Sequence, residues 1–213
     1  DIVSNKQRPL PSGSLTHSEL SFIACIALLL SFFASLTANF PMFFFILACA
    51  ALGLIYSVPP IRLRRFPFST SIIALGSLMA IMVGASAISP RPFSHIDFSL
   101  AIALFISITL GANFKDLKDL SADEKNGVRS AITLFGKGNE RVAAALFLFL
   151  AFVLFSVLAL PGVFVFSVFL GAVAALSVLK LKNPEPFVFA AYFLLVIFII
   201  ADPISLAYLA PAP

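Results

Sequence analysis

LSFIACIALLLSFFASLTANFPMFFFILACAALGLIYSVPPI, residues 20–61, decides the architecture. It contains no Asp, Glu, Lys or Arg. A helix needs roughly 20 mostly apolar residues to cross a bilayer, so this stretch holds two crossings. Thr37-Ala-Asn-Phe-Pro41, at its middle, is the turn between them. Working outward, further charge-free windows run over Phe66–Pro90, Phe98–Phe114, Val142–Leu179 and Pro186–Ala201. Leu160-Pro161-Gly162 divides the window Val142–Leu179. The expected spans are seven: 18–38, 41–57, 69–89, 96–114, 140–160, 163–180 and 186–207. Backbone polar groups in lipid must be satisfied within the segment, so the expected fold class is all-α, a multi-pass transmembrane helical bundle.

Composition agrees. The 213 residues are 61% hydrophobic and 11% charged, with a mean hydropathy of +1.07. A soluble domain carries about 25% charge. These values exclude a water-soluble globule, a disordered chain and a nucleic-acid-binding arm, despite a net charge of +4. The basic surplus is explained by placement. Lys6 and Arg8, the Ser57–Pro67 loop, the Lys115–Arg141 loop and the Lys180–Glu185 turn fall on one side of the expected bundle and hold every Lys and Arg but Arg91. The positive-inside rule assigns that side to the cytoplasm, where it also meets anionic headgroups. Cys25 and Cys49 lie in apolar runs without His or Cys neighbours and read as small core residues. Gly76, Ala80 and Gly84, four apart, suit close approach of another helix. His17, His95 and Asp202 read as interfacial residues. The polar start at Asp1 reads as the interior of a longer protein, so the chain is expected to be one membrane domain, 1–213, incomplete at its N-terminal end.

Three polar segments converge on the basic side. The first is Asn113-Phe-Lys-Asp-Leu-Lys-Asp-Leu-Ser-Ala-Asp-Glu-Lys-Asn-Gly-Val-Arg129, in which Asp116, Asp119 and Asp123 fall on one face if the segment is α-helical. Four of the chain's ten acids lie within residues 116–124. Stacked like charges repel unless something positive lies among them. Carboxylates are hard oxygen ligands suited to Mg²⁺, usually one or two of them with substrate phosphates and water. Flanking Lys115, Lys118, Lys125 and Arg129 suit phosphate oxygens. The plainer reading is a solvated juxtamembrane loop. The second segment is Tyr56-Ser-Val-Pro-Pro-Ile-Arg-Leu-Arg-Arg65, whose prolines stop the preceding helix. Its arginines serve either membrane orientation or bidentate phosphate binding. The third is Asp1 with Arg8-Pro-Leu-Pro-Ser-Gly13.

In order and loop position, Arg8-Pro9-Leu10-Pro11-Ser12-Gly13, Tyr56-Ser57-x-Pro59-Pro60-x-Arg62-Leu63-x-Arg65 and Asp116-x-x-Asp119-x-x-x-Asp123 with Gly127-Val128-Arg129 closely resemble the UbiA superfamily of intramembrane prenyltransferases. That family is a nine-helix bundle with two Asp-rich motifs. The resemblance implies that the seven spans correspond to its third to ninth helices. It further implies that Asp119 and Asp123, with Asp116 as an extra acid, hold Mg²⁺ at the second motif, and that Asp1 belongs to the first. Tyr56 matches a family Tyr with a catalytic role. Arg64 stands where the family often has Lys. Arg62, Arg64, Arg65, Lys118, Arg129 and Arg8 become candidate binders of the diphosphate. The implied reaction is Mg²⁺-dependent transfer of an isoprenyl group from a polyprenyl diphosphate to an aromatic or other lipid-precursor acceptor. Its expected partners are that donor, a small aromatic or glycerol-lipid acceptor and membrane lipid, with no nucleic acid.

Two other classes compete. A small transporter or channel would carry charged residues within its spans or paired broken helices. A metal-dependent phospholipid-synthesis transferase would carry Asp-Gly and Ala-Arg elements, which the motif region lacks.

Overall fold

The computed structural model describes residues 9–10, 12–120, 125 and 127–201. Seven α-helices account for most of them: α1 (His17–Ala38), α2 (Phe40–Ser57), α3 (Ser69–Ile88), α4 (Phe98–Gly111), α5 (Glu140–Ala159), α6 (Phe164–Lys180) and α7 (Glu185–Ala201). Six are long and apolar enough to cross a membrane, α4 counted with the 3₁₀ turn that continues it to Lys118 and α6 with the turn before it. The seventh, α7, is apolar and 17 residues long as described. Its expected extension to residue 207, and Asp202, lie outside the described residues. The chain is a multi-pass integral membrane protein.

Helix ends follow local chemistry. Thr16 and Glu19 form a capping box at the start of α1. Asn39 begins α2: its Oδ1 accepts from Met42 N–H at 2.9 Å, while its Nδ2 donates to the Ser86 carbonyl at 2.8 Å. One side chain therefore caps the second helix and fastens the α1–α2 turn to the end of α3. Asp97 caps α4. Hydrogen bonds from the Ser99 hydroxyl and Leu100 N–H hold its carboxyl below the usual carboxylate range.

Successive helices pack on one another, most closely α4 on α5 and α5 on α6. The core sits there. Ala143, Ala144, Ala145, Leu148 and Phe152 of α5 are buried in one cluster with Leu170, Ala174 and Val178 of α6 and with Val188, Ala191 and Leu195 of α7. Alanines and Gly171 let backbones approach. A Cβ on Gly171 would stand 2.8 Å from Phe152 Cβ. Two hydroxyls bridge helices here, Ser107 Oγ to the Ala151 carbonyl at 2.9 Å and Ser167 Oγ to the Phe152 carbonyl at 2.7 Å. Where lipid supplies no hydrophobic drive between helices, such contacts fix the packing.

The small-residue expectation shifts accordingly. A Cβ on Gly84 meets nothing within 4 Å and one on Gly76 meets only Leu52 at 3.7 Å. The tight approaches are at Gly171 and at Gly111, where an added Cβ would run into the Tyr192 hydroxyl. The cysteine reading also changes: Cys25 is exposed and Cys49 half-buried. Ser35 is the buried residue of α1, so most of that helix, Cys25 included, faces outward.

Candidate active site

At Gly111 the backbone leaves the α-helix and tightens into a 3₁₀ helix, Ala112–Lys118, with Asp119 as its C-cap. Asn113 sits at the junction, 1% exposed. Its Nδ2 donates to the carbonyls of Thr109 (2.7 Å) and Leu110 (3.1 Å), so the change of winding leaves those acceptors satisfied. A 3₁₀ helix repeats every three residues. The chain reads Phe114-Lys115-Asp116, Leu117-Lys118-Asp119, Leu120, so each residue type keeps its own side. Phe114 is buried, with Leu117 and Leu120 packed on the same core. Lys115 lies over the Phe189 ring at 5.2 Å from its centroid, and Lys118 Nζ is 2.6 Å from Glu185 Oε2. Asp116 and Asp119 share the third side and face a cavity. The α-helical period expected of this segment is thereby corrected to a 3₁₀ period for residues 112–118, and the tandem triplet was the signal for it.

The opposing wall comes from the end of α2 and the turn after it. Val58 N–H donates to the Leu54 carbonyl and closes α2. A cis Pro59–Pro60 bond and Arg62 in the left-handed region (φ 44°, ψ 61°) reverse the chain into the 3₁₀ turn Leu63–Arg65. A left-handed non-glycine residue costs of order 1–2 kcal/mol unless its surroundings compensate, and such residues cluster at functional sites. Arg129 N–H donates to the Arg65 carbonyl at 3.3 Å, which ties this turn to the segment following the Asp-rich stretch.

Between these walls lies a cavity of about 310 Å³. Tyr56 and Ser57 line it from α2, Arg62 and Arg64 from the turn, and Ser69 from the start of α3. Asp116, Asp119, Val128, Arg129 and Ser130 complete it. The α3 N-terminus has no side-chain cap, and the positive end of its dipole favours anions there. Three arginines and two aspartates thus line one small space.

Most sequence-derived candidates within the described residues meet here: Asp116, Asp119, Tyr56, Arg62, Arg64 and Arg129. Arg65 contributes its backbone carbonyl to the loop tie and is not among the lining residues. Lys118 is paired with Glu185 outside the cavity. Asp1, Arg8 and Asp123 lie outside the described residues. The serines were missed. Ser130 is 6% exposed and its hydroxyl has no hydrogen-bond partner. Nothing in its sequence neighbourhood sets it apart from a structural serine.

Two further cavities are present. A space of about 580 Å³ shares Arg129 and Ser130 and reaches Lys137 and Glu140 at the start of α5. An apolar space of about 290 Å³ lies between α4, α5 and α7, bordered by Phe152, Phe189 and Tyr192, with Lys115 also in its lining.

Among the described residues no group of three His, Cys, Asp or Glu side chains is placed to hold a metal ion. The donor set, Asp116 and Asp119 beside three arginines, nevertheless fits Mg²⁺, which takes one or two carboxylates and completes its shell with water and phosphate oxygens.

The fold and site define a multi-pass helical membrane protein whose aspartates and arginines gather in the connections at one end of the bundle. Comparison gives the family: the profile of the UbiA prenyltransferase family matches residues 1–199, and the chain belongs to that family. It is 28% identical over 142 residues to naringenin 8-dimethylallyltransferase 2, chloroplastic, of Sophora flavescens, covering 61% of this chain and 35% of that protein. It is 24% identical to digeranylgeranylglyceryl phosphate synthase of Pyrococcus horikoshii, covering 72% and 53%. It is 29% identical to 4-hydroxybenzoate octaprenyltransferase of Klebsiella pneumoniae, covering 66% and 47%. The chain spans about a third to a half of the length of these relatives. No solved structure matches significantly.

Proposed function

We propose that the protein containing this chain transfers an isoprenyl group from a polyprenyl diphosphate to an aromatic or lipid-precursor acceptor within the membrane, releasing diphosphate, with Mg²⁺ as cofactor. The observation that carries this reading is the meeting of Asp116 and Asp119 with Arg62, Arg64 and Arg129 around one cavity at the rim of an apolar bundle. Relatives named for prenyl transfer to naringenin, to 2-acylphloroglucinol and to 4-hydroxybenzoate support the reaction type. Charged residues within the described helices are confined to their end turns, which disfavours an ion pathway.

Each side chain has a task. Asp116 and Asp119 hold Mg²⁺, joined, by family resemblance, by Asp123 and Asp1. Bound there, the ion supplies Lewis-acid stabilisation of the leaving diphosphate. Arg62, Arg64 and Arg129, with Arg8 by resemblance, fork onto phosphate oxygens and stabilise the same developing charge. The Tyr56 ring offers its face to the allylic cation. The apolar helices exclude water until the acceptor attacks. The positive-inside rule assigns the rim to the cytoplasmic side, and residues 1–213 belong to one such domain.

The test uses the full-length protein, Mg²⁺ and labelled prenyl diphosphates with a panel of acceptors. Asp116→Asn and Asp119→Asn together lower transfer about a hundredfold or more, the scale of losing a charge-stabilising group. Undiminished transfer refutes the assignment.

A further inference from the structure

The triplet segment has a side that this reaction does not use. Lys118 Nζ pairs with Glu185 Oε2 at 2.6 Å. Lys115 Nζ stands over the Phe189 ring at 5.2 Å, and the Phe114 ring meets Phe189 edge-on with centroids 6.1 Å apart. Glu185 and Phe189 lie one turn apart at the start of α7. All three contacts therefore join residues 114–118 to the first two turns of α7.

We infer that Lys118 and Glu185 are positioning residues: the start of α7 clamps the 3₁₀ segment through this ion pair and so fixes the direction in which Asp116 and Asp119 face. The inference rests on the reading of those carboxylates as the metal-holding groups.

Three physical points carry it. A 3₁₀ helix has poorer hydrogen bonds than an α-helix and runs longer than three or four residues are uncommon. This one has seven, so it needs support from outside. Phe114 and Leu117 fix one side against the core. With a second side tied to α7, rotation about the segment axis is stopped and the third side, bearing the aspartates, is determined. Glu185 is also preorganised for the task, because a carboxylate in the first turn of a helix is favoured by the helix dipole. The side chains are 47% and 33% exposed, so the pair is neither fully solvated nor fully buried.

The test compares wild type, Lys118→Met, Glu185→Gln and the swap of Lys118→Glu with Glu185→Lys in the full-length protein. One readout is amide hydrogen exchange over residues 112–120. The other is the Mg²⁺ concentration giving half-maximal transfer. Each single variant is expected to speed exchange in 112–120 and to raise that Mg²⁺ concentration roughly fivefold, the factor for about 1 kcal/mol, with little change at saturating Mg²⁺. The swap is expected to return both toward wild type. Unchanged exchange in the single variants overturns the clamp. So does a swap that restores neither readout, or a loss confined to Lys118→Met with Glu185→Gln neutral, which is the pattern of direct contact between Lys118 and diphosphate. Failure of the metal reading itself registers separately, as undiminished transfer by the Asp116→Asn and Asp119→Asn variants while the exchange readout still reports on the clamp.

Discussion

Arg62 holds two requirements that pull in opposite directions. Its backbone is left-handed, with φ at 44°, a conformation glycine adopts without steric cost. The residue also lines the rim cavity. Arg62→Gly therefore relieves the backbone while removing a cation. The expected outcome is a folding stability equal to wild type or greater by up to about 1 kcal/mol, seen as an unchanged or raised unfolding midpoint, together with weakened use of the prenyl diphosphate, seen as a higher KM for the donor. Thermal unfolding in detergent and steady-state kinetics check the two halves. A lower midpoint would mean that the Arg62 side chain contributes more to the fold than its backbone costs. Ser130 raises the same theme in milder form: a buried hydroxyl without a partner is tolerated most readily where a ligand can complete it.

At the scale of the element, helix packing is decided by few contacts. Gly171→Ala puts a methyl group 2.8 Å from Phe152 Cβ. That atom belongs to a side chain only 1% exposed and cannot swing away, so α5 and α6 must separate. The expected loss is about 1–3 kcal/mol, measured as a lowered unfolding midpoint in detergent. Gly84→Ala, with open space around the added carbon, is expected to leave the midpoint unchanged or slightly raised. The contrast explains what the sequence could convey. Charge-free windows, Asn39, Pro41 and Pro161 marked where helices begin and end to within a few residues, because lipid and backbone chemistry act locally. They did not mark which side of each helix faces inward. A helix that is apolar all round carries little facial contrast, and the choice of Gly171 over Gly76 depends on partners distant in sequence. The site divides in the same way. Asp116, Asp119, Arg62 and Arg64 were legible as charges at helix ends and the tandem triplet was present as a signal of the 3₁₀ winding, whereas the pairing of Lys118 with Glu185 depends on α7, distant in sequence.

At the scale of the whole molecule, stability and chemistry occupy different regions. The buried cluster runs through α5, α6 and α7, while the charged cavity is assembled from connections at one rim. Removing divalent ions with a chelator is therefore expected to abolish transfer and leave the helical circular dichroism spectrum intact, with activity returning on addition of Mg²⁺. Loss of helix on chelation would instead tie the metal to the fold. The tandem triplet at 114–120 carries one more consequence. Like a message read in threes, it has a frame. Deleting one residue would turn every later side chain a third of the way round, swinging a lysine toward the greasy interior and a leucine toward the charged cavity. Deleting a whole triplet would preserve the frame but pull the segment back by about 6 Å. Either deletion is expected to cost the site, so the spacing of this stretch matters as much as its residue types.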